Sequence, residues 1–376
     1  MNSPPPALRD QAPAGSRHRT GRHTLDVTEV RHLTADTVAV TLHVPTELRH
    51  VFAHHPGQHV VVRHRLAGTE LRRSYSICPP PHTPEALRLV IKRSGPGGFG
   101  DHATTRLAAG ALLELSPPTG TFALPEVPGA HHVLLAGGTG ITPLAPMAVH
   151  ALRRDPACRV SLVHSVRTSA DAVLADELAE TKDEFVDRFT VLYVLTREYR
   201  GSGSGPLARR LDASGVRRLL AAVDARPAPD TTFALCGPPG LVATARRVLA
   251  EAGADPSLVR WELFTAGGTE PTPPRPAGRA PEAGEYRVTA LLDGRRRAAT
   301  VLPDDPALLD ALLRSHPDVP YACREGVCGS CRAKVLSGQV TADGEHALDE
   351  RDRAAGYTLV CRARPRTPEL TLDFDA

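Results

Sequence analysis

The sequence predicts a multidomain protein: an antiparallel β-barrel, a doubly wound α/β domain with a parallel sheet, and a small α+β domain. Three changes of pattern along the 376-residue chain support this division. Short alternating runs without helices cover residues 23–129, and strands alternate with amphipathic helices over 130–265. A hairpin, a helix and a cysteine-rich loop then occupy 285–376. Such a succession indicates separate layered domains.

Composition describes an ordinary globular protein and excludes several kinds of partner. The net charge is only +3 and no basic run is interleaved with aromatic residues, so nucleic acid is not an expected partner. No apolar stretch reaches the roughly 18–20 residues that span a bilayer, so we expect no membrane partner. Residues 1–22 are expected to form a disordered leader, not a signal peptide. Seven cysteines, an odd number without an export signal, favour the cytoplasm.

The first domain is predicted to contain strands at 37–44, 59–66 and 86–93, each bounded by proline or glycine clusters. Repeated short strands without helices indicate a small antiparallel barrel. The segment RSYSI (73–77) is either an exposed hairpin or a flavin site, with an arginine for a pyrophosphate and a tyrosine ring for the flavin face. The glycine-rich run 94–103 is either a flexible loop or a source of backbone N–H groups for the same pyrophosphate.

The second domain begins with a buried strand at 133–136, and Pro143 is well placed in the first turn of the helix that follows. Alternating strands and helices predict a parallel, doubly wound sheet. The further strands are predicted at 159–166, 189–196, 231–237 and 258–264, and the helices at 170–182 and 241–254.

Several motifs lie where the strands of this predicted sheet end. GTGITP (138–143) follows a strand and opens a helix, the context of a nucleotide-binding turn, although a structural turn would look the same. Where an NAD site would have an acidic residue, the chain has Ser165 and Arg167. A hydroxyl and a guanidinium suit the 2′-phosphate of NADPH better than the ribose hydroxyl of NADH, so NADPH is favoured. CGP (236–238) and WELF (261–264) end two other strands, and each could equally be structural.

Four cysteines carry the strongest motif. Cys323, Cys328 and Cys331 are spaced C-x4-C-x2-C, and Cys361 follows after 29 intervening residues. This is the plant-type spacing for a [2Fe–2S] cluster held by four thiolates. A zinc site is the alternative, but zinc favours two C-x2-C pairs. The sequence therefore predicts a one-electron carrier, joined to the α/β domain by an extended proline- and glycine-rich linker at 266–284.

In this order, RSYS, GGTGITP, CGPP and the four cysteines resemble the ferredoxin–NADP reductase superfamily fused to a C-terminal plant-type ferredoxin. The resemblance extends from about residue 24 to the end. RSYSIC, VPYACREGVCGSCRAKVLSGQV, AGYTLVC and the closing LDFD are most similar to reductase subunits of phenylacetyl-CoA epoxidases. Reductases of ring-hydroxylating dioxygenases and steroid hydroxylases share the domain order and stay as alternatives. A redox-sensing module without turnover is a third possibility.

The resemblance implies a fold, cofactors and a partner. The barrel would bind FAD, the α/β domain would bind NADPH or NADH, and a β-grasp ferredoxin-like domain would hold the cluster. A di-iron oxygenase component would receive the electrons. Because a hydride carries two electrons and the cluster accepts one, a flavin between them is also expected on chemical grounds.

The same resemblance, with the motifs, defines the candidate site residues. The candidate FAD contacts are Arg73, Ser74, Tyr75, Ser76, Ile77, Gly97, Gly98 and Phe99. The candidate pyridine-nucleotide contacts are Gly138, Thr139, Gly140, Thr142, Ser165, Arg167, Cys236, Gly237, Pro238 and Phe264. Ser76, Cys236 and Glu262 are the candidate catalytic residues. Gly100 stands where a serine is usual, so one hydroxyl contact to FAD is expected to be missing.

Overall fold

The computed structural model describes residues 21–66, 68–78, 85–198, 209–264 and 286–376. The predicted linker and most of the predicted leader lie outside these ranges. None of the described helices is both long enough and apolar enough to cross a membrane.

The first domain is a closed six-stranded barrel, as the sequence predicted, with the strand order β1-β2-β5-β4-β3-β6 and antiparallel pairing throughout. Val60 and Val62 of β3 point inward because alternate residues of a strand face the same side. The elements are β1 (His23–Thr34), β2 (Thr37–His43), β3 (His59–Leu66), β4 (Thr69–Cys78), β5 (Ala86–Lys92), α1 (Phe99–Thr105) and β6 (Leu112–Leu115).

The second domain is the predicted parallel sheet, in the order β11-β10-β7-β8-β9. Every residue of β7 and β10 is buried, as expected for strands covered by helices on both faces. The elements are β7 (His131–Gly137), α2 (Ile141–Arg154), β8 (Arg159–Val166), α3 (Ala175–Glu184), β9 (Phe189–Leu195), α4 (Ala213–Ala222), β10 (Thr231–Gly237), α5 (Pro239–Glu251) and β11 (Val259–Leu263).

One predicted helix begins later than expected. The pattern predicted a helix from residue 170, but α3 starts at Ala175. A capping box between Thr168 and Asp171 closes a separate short 3-10 turn, and Leu174 adopts a left-handed backbone with φ of 60°. A left-handed residue cannot continue a right-handed helix, so the two turns are separated.

The third domain has the predicted α+β, β-grasp arrangement. Its five-stranded sheet has the order β13-β12-β18-β14-β16, and a two-stranded ribbon of β15 and β17 accompanies it. Leu308 and Leu312 of α6 belong to the same buried core as Val288 and Leu292 of β12. The elements are β12 (Tyr286–Leu292), β13 (Arg295–Val301), α6 (Leu308–Ser315), β14 (Arg332–Ser337), β15 (Val340–Ala342), α7 (Glu350–Ala354), β16 (Tyr357–Leu359), β17 (Ala363–Pro365) and β18 (Glu369–Asp373).

Candidate functional site

Strand β4 carries the candidate flavin residues 73–77 beside β3 in the barrel wall. Ser76 is buried, at 4% exposure, and is paired with His59 of β3 in the ladder. The ring of Tyr75 lies 5.9 Å, centroid to centroid, from the ring of Phe99 at the start of α1. The structure therefore brings together the two segments that the sequence assigned to one flavin.

The glycine turn before α1 leaves room for a ligand. A Cβ atom at Gly97 or Gly98 would project into space with no heavy atom within 4 Å. Arg73 donates to the Arg72 carbonyl at 2.8 Å, and no carboxylate of the described residues pairs with it. The guanidinium of Arg73 is therefore available to an anion, and the glycine turn has open space beside it. Both features fit the pyrophosphate of FAD. Phe99 is 1% exposed and fills the barrel core, so only its backbone is available to a ligand.

Gly100 is packed more tightly than its neighbours. A Cβ atom at this position would approach the carbonyl oxygen of Lys92 to 2.4 Å. A serine would therefore require the backbone of α1 or β5 to move. The expected loss of one hydroxyl contact to FAD stays a prediction.

The turn between β7 and α2 is stabilised by side-chain hydrogen bonds to its backbone carbonyl groups. Gly138 is left-handed, with φ of +55°, and its Cβ position faces open space. Thr142 is buried and donates its hydroxyl to the Thr139 carbonyl at 2.9 Å, so its side chain supports the turn. Burial lowers the pKa of His164 to about 4, and the neutral ring donates from Nε2 to the Gly138 carbonyl at 2.9 Å. The sequence does not single out His164, because one histidine in an apolar strand does not indicate its partner.

Gly140 has a packing role. A Cβ atom there would lie 2.2 Å from the carbonyl oxygen of Cys236. At Gly237, which has a φ of +143°, an added Cβ atom would lie 2.9 Å from the backbone of Gly137. These two glycines let β7, α2 and β10 meet at the carboxyl edge of the sheet, where ligands of such folds bind.

A cavity of about 520 Å³ opens at this edge, and four candidate nucleotide residues line it: Gly138, Ser165, Arg167 and Pro238. The guanidinium of Arg167 is shared between Asp36, at 3.1 Å, and Asp171. Cationic side chains outnumber carboxylates in the cavity wall, which suits a ligand that carries phosphates. The other cationic residues in the wall are Lys92, Arg197 and Arg210.

Gly138→Ala is expected to raise KM for the pyridine nucleotide about tenfold or more. The added methyl group would occupy space needed by a pyrophosphate and would displace it from the backbone N–H groups of the turn. Hydrogen bonds to charged groups contribute roughly 1.5–3 kcal/mol, so the loss of one is enough for this effect. The KM is measured by steady-state ferricyanide reduction, with FAD bound to the protein. Gly129→Ala is the matched control, since Gly129 is also left-handed, with φ of +65°, and lies in a turn outside the cavity. An equal rise in KM in both variants would contradict the assignment.

Cys236 and Glu262 lie side by side on β10 and β11. Burial raises the pKa of Glu262 to about 8, and the nearby Cys323 adds to the shift, so the carboxyl group holds a proton at neutral pH. Its Oε2 is buried and has no hydrogen-bond partner in the described part of the chain. Its Oε1 is 4.0 Å from Nδ1 of His59. A buried carboxyl oxygen without a partner is the kind of group that a bound ligand satisfies.

The four cysteines of the third domain come together in two pairs. Cys323 lies within hydrogen-bonding reach of Cys328, and Cys331 within reach of Cys361. Two thiolates for each of two irons are what a [2Fe–2S] cluster requires. The pairing of the four thiols therefore fits a binuclear cluster.

The backbone of the loop 323–331 prepares these thiols for metal. Hydrogen bonds from Cys328 and from backbone N–H groups lower the pKa of Cys323 to about 6 against the effect of burial. Gly326 is left-handed, and a Cβ atom there would lie 2.1 Å from the carbonyl oxygen of Gly344. The backbone N–H groups that donate to the sulfur of Cys323 stabilise its thiolate, and contacts of this kind tune a bound cluster.

Three family models match the chain in the order of its domains. An oxidoreductase FAD-binding domain matches residues 24–124, an oxidoreductase NAD-binding domain matches 134–247, and a 2Fe-2S iron-sulfur cluster binding domain matches 291–366. With the geometry above, these matches define an NAD- and FAD-binding iron–sulfur oxidoreductase.

Two relatives are similar to this chain over nearly their whole length. One of the subunits of 1,2-phenylacetyl-CoA epoxidase from Escherichia coli K12 is 32% identical over 94% of this chain and 98% of its own. The ferredoxin reductase component of 3-ketosteroid-9-alpha-monooxygenase from Rhodococcus rhodochrous is also 32% identical, over 97% and 99%. The chain belongs to the ferredoxin–NADP reductase superfamily, in the group that carries a C-terminal plant-type ferredoxin domain.

A solved structure has the same fold. Phthalate dioxygenase reductase superposes with a TM-score of 0.55 at 24% identity, over 94% of this chain and 98% of its own. The three matched domains and the two relatives, by contrast, define an electron-transfer reductase that is similar to the reductase components of oxygenase systems.

Proposed function

We propose that this reductase takes electrons from NADPH and passes them through FAD and the [2Fe–2S] cluster to a di-iron oxygenase that epoxidises phenylacetyl-CoA in aerobic phenylacetate catabolism. The observation that carries the proposal is the 32% identity to the phenylacetyl-CoA epoxidase polypeptide over 98% of its length. The similarity of the cysteine loop and of the closing LDFD segment supports it. A cytoplasmic location belongs to the same proposal, because four reduced cysteines are needed to take up the cluster.

The side chains divide the work with the cofactors. FAD, when bound, supplies the conversion of a two-electron donor into a one-electron donor, which amino-acid side chains cannot perform. Arg73 and the open turn at Gly97 hold the pyrophosphate of FAD. Ser76 offers a buried hydroxyl to the reacting edge of the flavin, and the protonated carboxyl of Glu262 offers a hydrogen bond from the side of the α/β domain.

NADPH is favoured over NADH by the cationic wall of the cavity at Ser165 and Arg167. The two carboxylates that share Arg167 oppose this preference, since a 2′-phosphate would have to compete with Asp36 and Asp171 for its guanidinium. Comparing kcat/KM for the two coenzymes decides the matter. A larger value for NADH would contradict this part of the proposal.

A second candidate function is supply of electrons to a steroid hydroxylase. The 3-ketosteroid-9-alpha-monooxygenase reductase component matches at the same 32% identity and with slightly greater coverage. A reductase for a ring-hydroxylating dioxygenase has fold similarity alone in its favour, from phthalate dioxygenase reductase.

Reconstitution tests the function. The holoprotein, mixed with NADPH and the oxygenase subunits of phenylacetyl-CoA epoxidase, is expected to support oxygen- and NADPH-dependent consumption of phenylacetyl-CoA. The control replaces these subunits by a 3-ketosteroid 9-alpha-monooxygenase oxygenase with its steroid. Turnover only in the control would establish the second candidate. A redox sensor without turnover is ruled out if NADPH bleaches the flavin absorbance and repeated cycles follow.

A further inference from the structure

The ferredoxin domain is in direct contact with the barrel in this structure, and one barrel side chain donates two hydrogen bonds across this contact. Arg72 of β4 is 5% exposed. Its Nη2 donates to the carbonyl of Pro317 at 2.7 Å, and its Nη1 donates to the carbonyl of Val319 at 3.1 Å. Its Nε donates to Glu70 at 2.8 Å, which orients the guanidinium. Every nitrogen of this arginine is thereby used.

The same guanidinium stacks on an aromatic ring of the ferredoxin domain. Its central carbon lies 4.1 Å from the ring centroid of Tyr321, two residues before the first cluster cysteine. On the cluster loop, Arg324 is 5.1 Å from the same centroid and is paired with Asp310 at 2.7 Å. A cation over a desolvated aromatic face is a favourable contact that requires a particular orientation. It therefore sets the position of the cluster loop relative to the barrel.

A second contact lies between the flavin strand and the cluster. His59, which is paired with Ser76, has its Nε2 3.3 Å from the hydroxyl of Ser330. That hydroxyl is 3.3 Å from the sulfur of Cys328. His59 and Ser330 are both buried, at 3% and 8% exposure. A polar connection from the barrel wall beside Ser76 to the cluster ligand Cys328 therefore passes through His59 and Ser330.

We propose that Arg72 and His59 are positioning residues that dock the ferredoxin domain of the same chain on the barrel, with Cys328 facing the flavin site. The docking contact comprises Arg72, Tyr321 and the carbonyls of Pro317 and Val319, and the His59–Ser330 contact completes it. The proposal rests on the order of electron transfer given above. A hydride brings two electrons, so two successive one-electron transfers reach the cluster across this contact, and the proton is released to solvent.

The test uses the holoprotein and the variant Arg72→Ala in anaerobic stopped flow. With NADPH, or with NADH if that coenzyme is preferred, flavin reduction is expected to proceed at the wild-type rate. Cluster reduction is expected to slow about tenfold or more, because its rate follows the docked fraction of the ferredoxin domain. Small-angle X-ray scattering is expected to show a larger radius of gyration than for wild type.

Two matched comparisons separate docking from other effects. Arg65→Ala removes an exposed arginine of the same barrel and is expected to leave both rates and the radius of gyration unchanged. In the ferredoxin domain, Tyr321→Phe keeps the aromatic ring and is expected to retain docking. Tyr321→Leu removes the ring and is expected to lose docking. Visible absorbance measures the cluster content of both variants, so that loss of the cluster is not mistaken for loss of docking.

Wild-type cluster reduction and an unchanged radius of gyration in Arg72→Ala would overturn the proposal. If Arg72→Ala loses FAD, Tyr321→Leu provides the test instead. Cluster reduction at the wild-type rate in Tyr321→Leu would also overturn the proposal. Neither measurement involves an oxygenase. A failure to support phenylacetyl-CoA turnover would therefore contradict the proposed function and leave the docking result intact.

Discussion

Cys328→Ser is expected to abolish the visible absorbance of the cluster and to reduce NADPH-dependent cytochrome c reduction to background, while ferricyanide reduction stays within about twofold of wild type. A serine oxygen replaces one of the four thiolates, and [2Fe–2S] clusters of this type depend on all four. Ferricyanide accepts electrons from the flavin directly, and Cys328 lies in a domain with its own hydrophobic core. Absorbance, iron content and the two assays measure the effect.

Cys158→Ser provides the control for this experiment. Cys158 is also fully buried, but it lies in the α/β domain and its thiol donates to the Ala151 carbonyl at 3.3 Å, a bond that a hydroxyl can replace. This variant is expected to keep the cluster and both activities. A Cys328→Ser protein with an unchanged spectrum would refute the assignment of the four ligands.

Ser76→Ala is expected to slow reduction of the flavin by NADPH about a hundredfold, as removal of a preorganised hydrogen-bond donor at a reacting centre commonly does, with FAD still bound. The hydroxyl is buried beside His59 in the barrel wall, so water cannot readily replace it. Stopped-flow absorbance of the flavin gives the rate, and the ratio of flavin to protein gives the FAD content.

Thr28→Ala is the control for the hydroxyl, since Thr28 is exposed on the same barrel and bonds only to the Thr41 carbonyl, at 3.2 Å. It is expected to reduce its flavin normally. An unaltered flavin reduction rate in Ser76→Ala would remove this residue from the reaction, and loss of FAD would make it a binding residue instead.

Local pattern was sufficient for much of the fold. Strands β3, β8 and β10 have the bounds that their alternating or fully apolar runs predicted. Pro143 lies in the first turn of α2, as predicted, where its missing N–H does not cost a helix hydrogen bond. The helix predicted from residue 170 begins five residues later, at Ala175, because a left-handed Leu174 and a side-chain capping box leave little trace in hydrophobic periodicity.

The sequence was sufficient to predict the kinds of the three domains and to propose the four cysteine ligands, because strand periodicity and cysteine spacing are properties of short segments. The tertiary structure was needed to show that His164 donates to the Gly138 carbonyl and that Arg167 is already shared by two carboxylates. It was also needed to place Arg72 and His59 in hydrogen-bonding contact with the ferredoxin domain, His59 with a residue 271 positions away. Contacts of that range depend on how whole domains pack, and no local pattern encodes them.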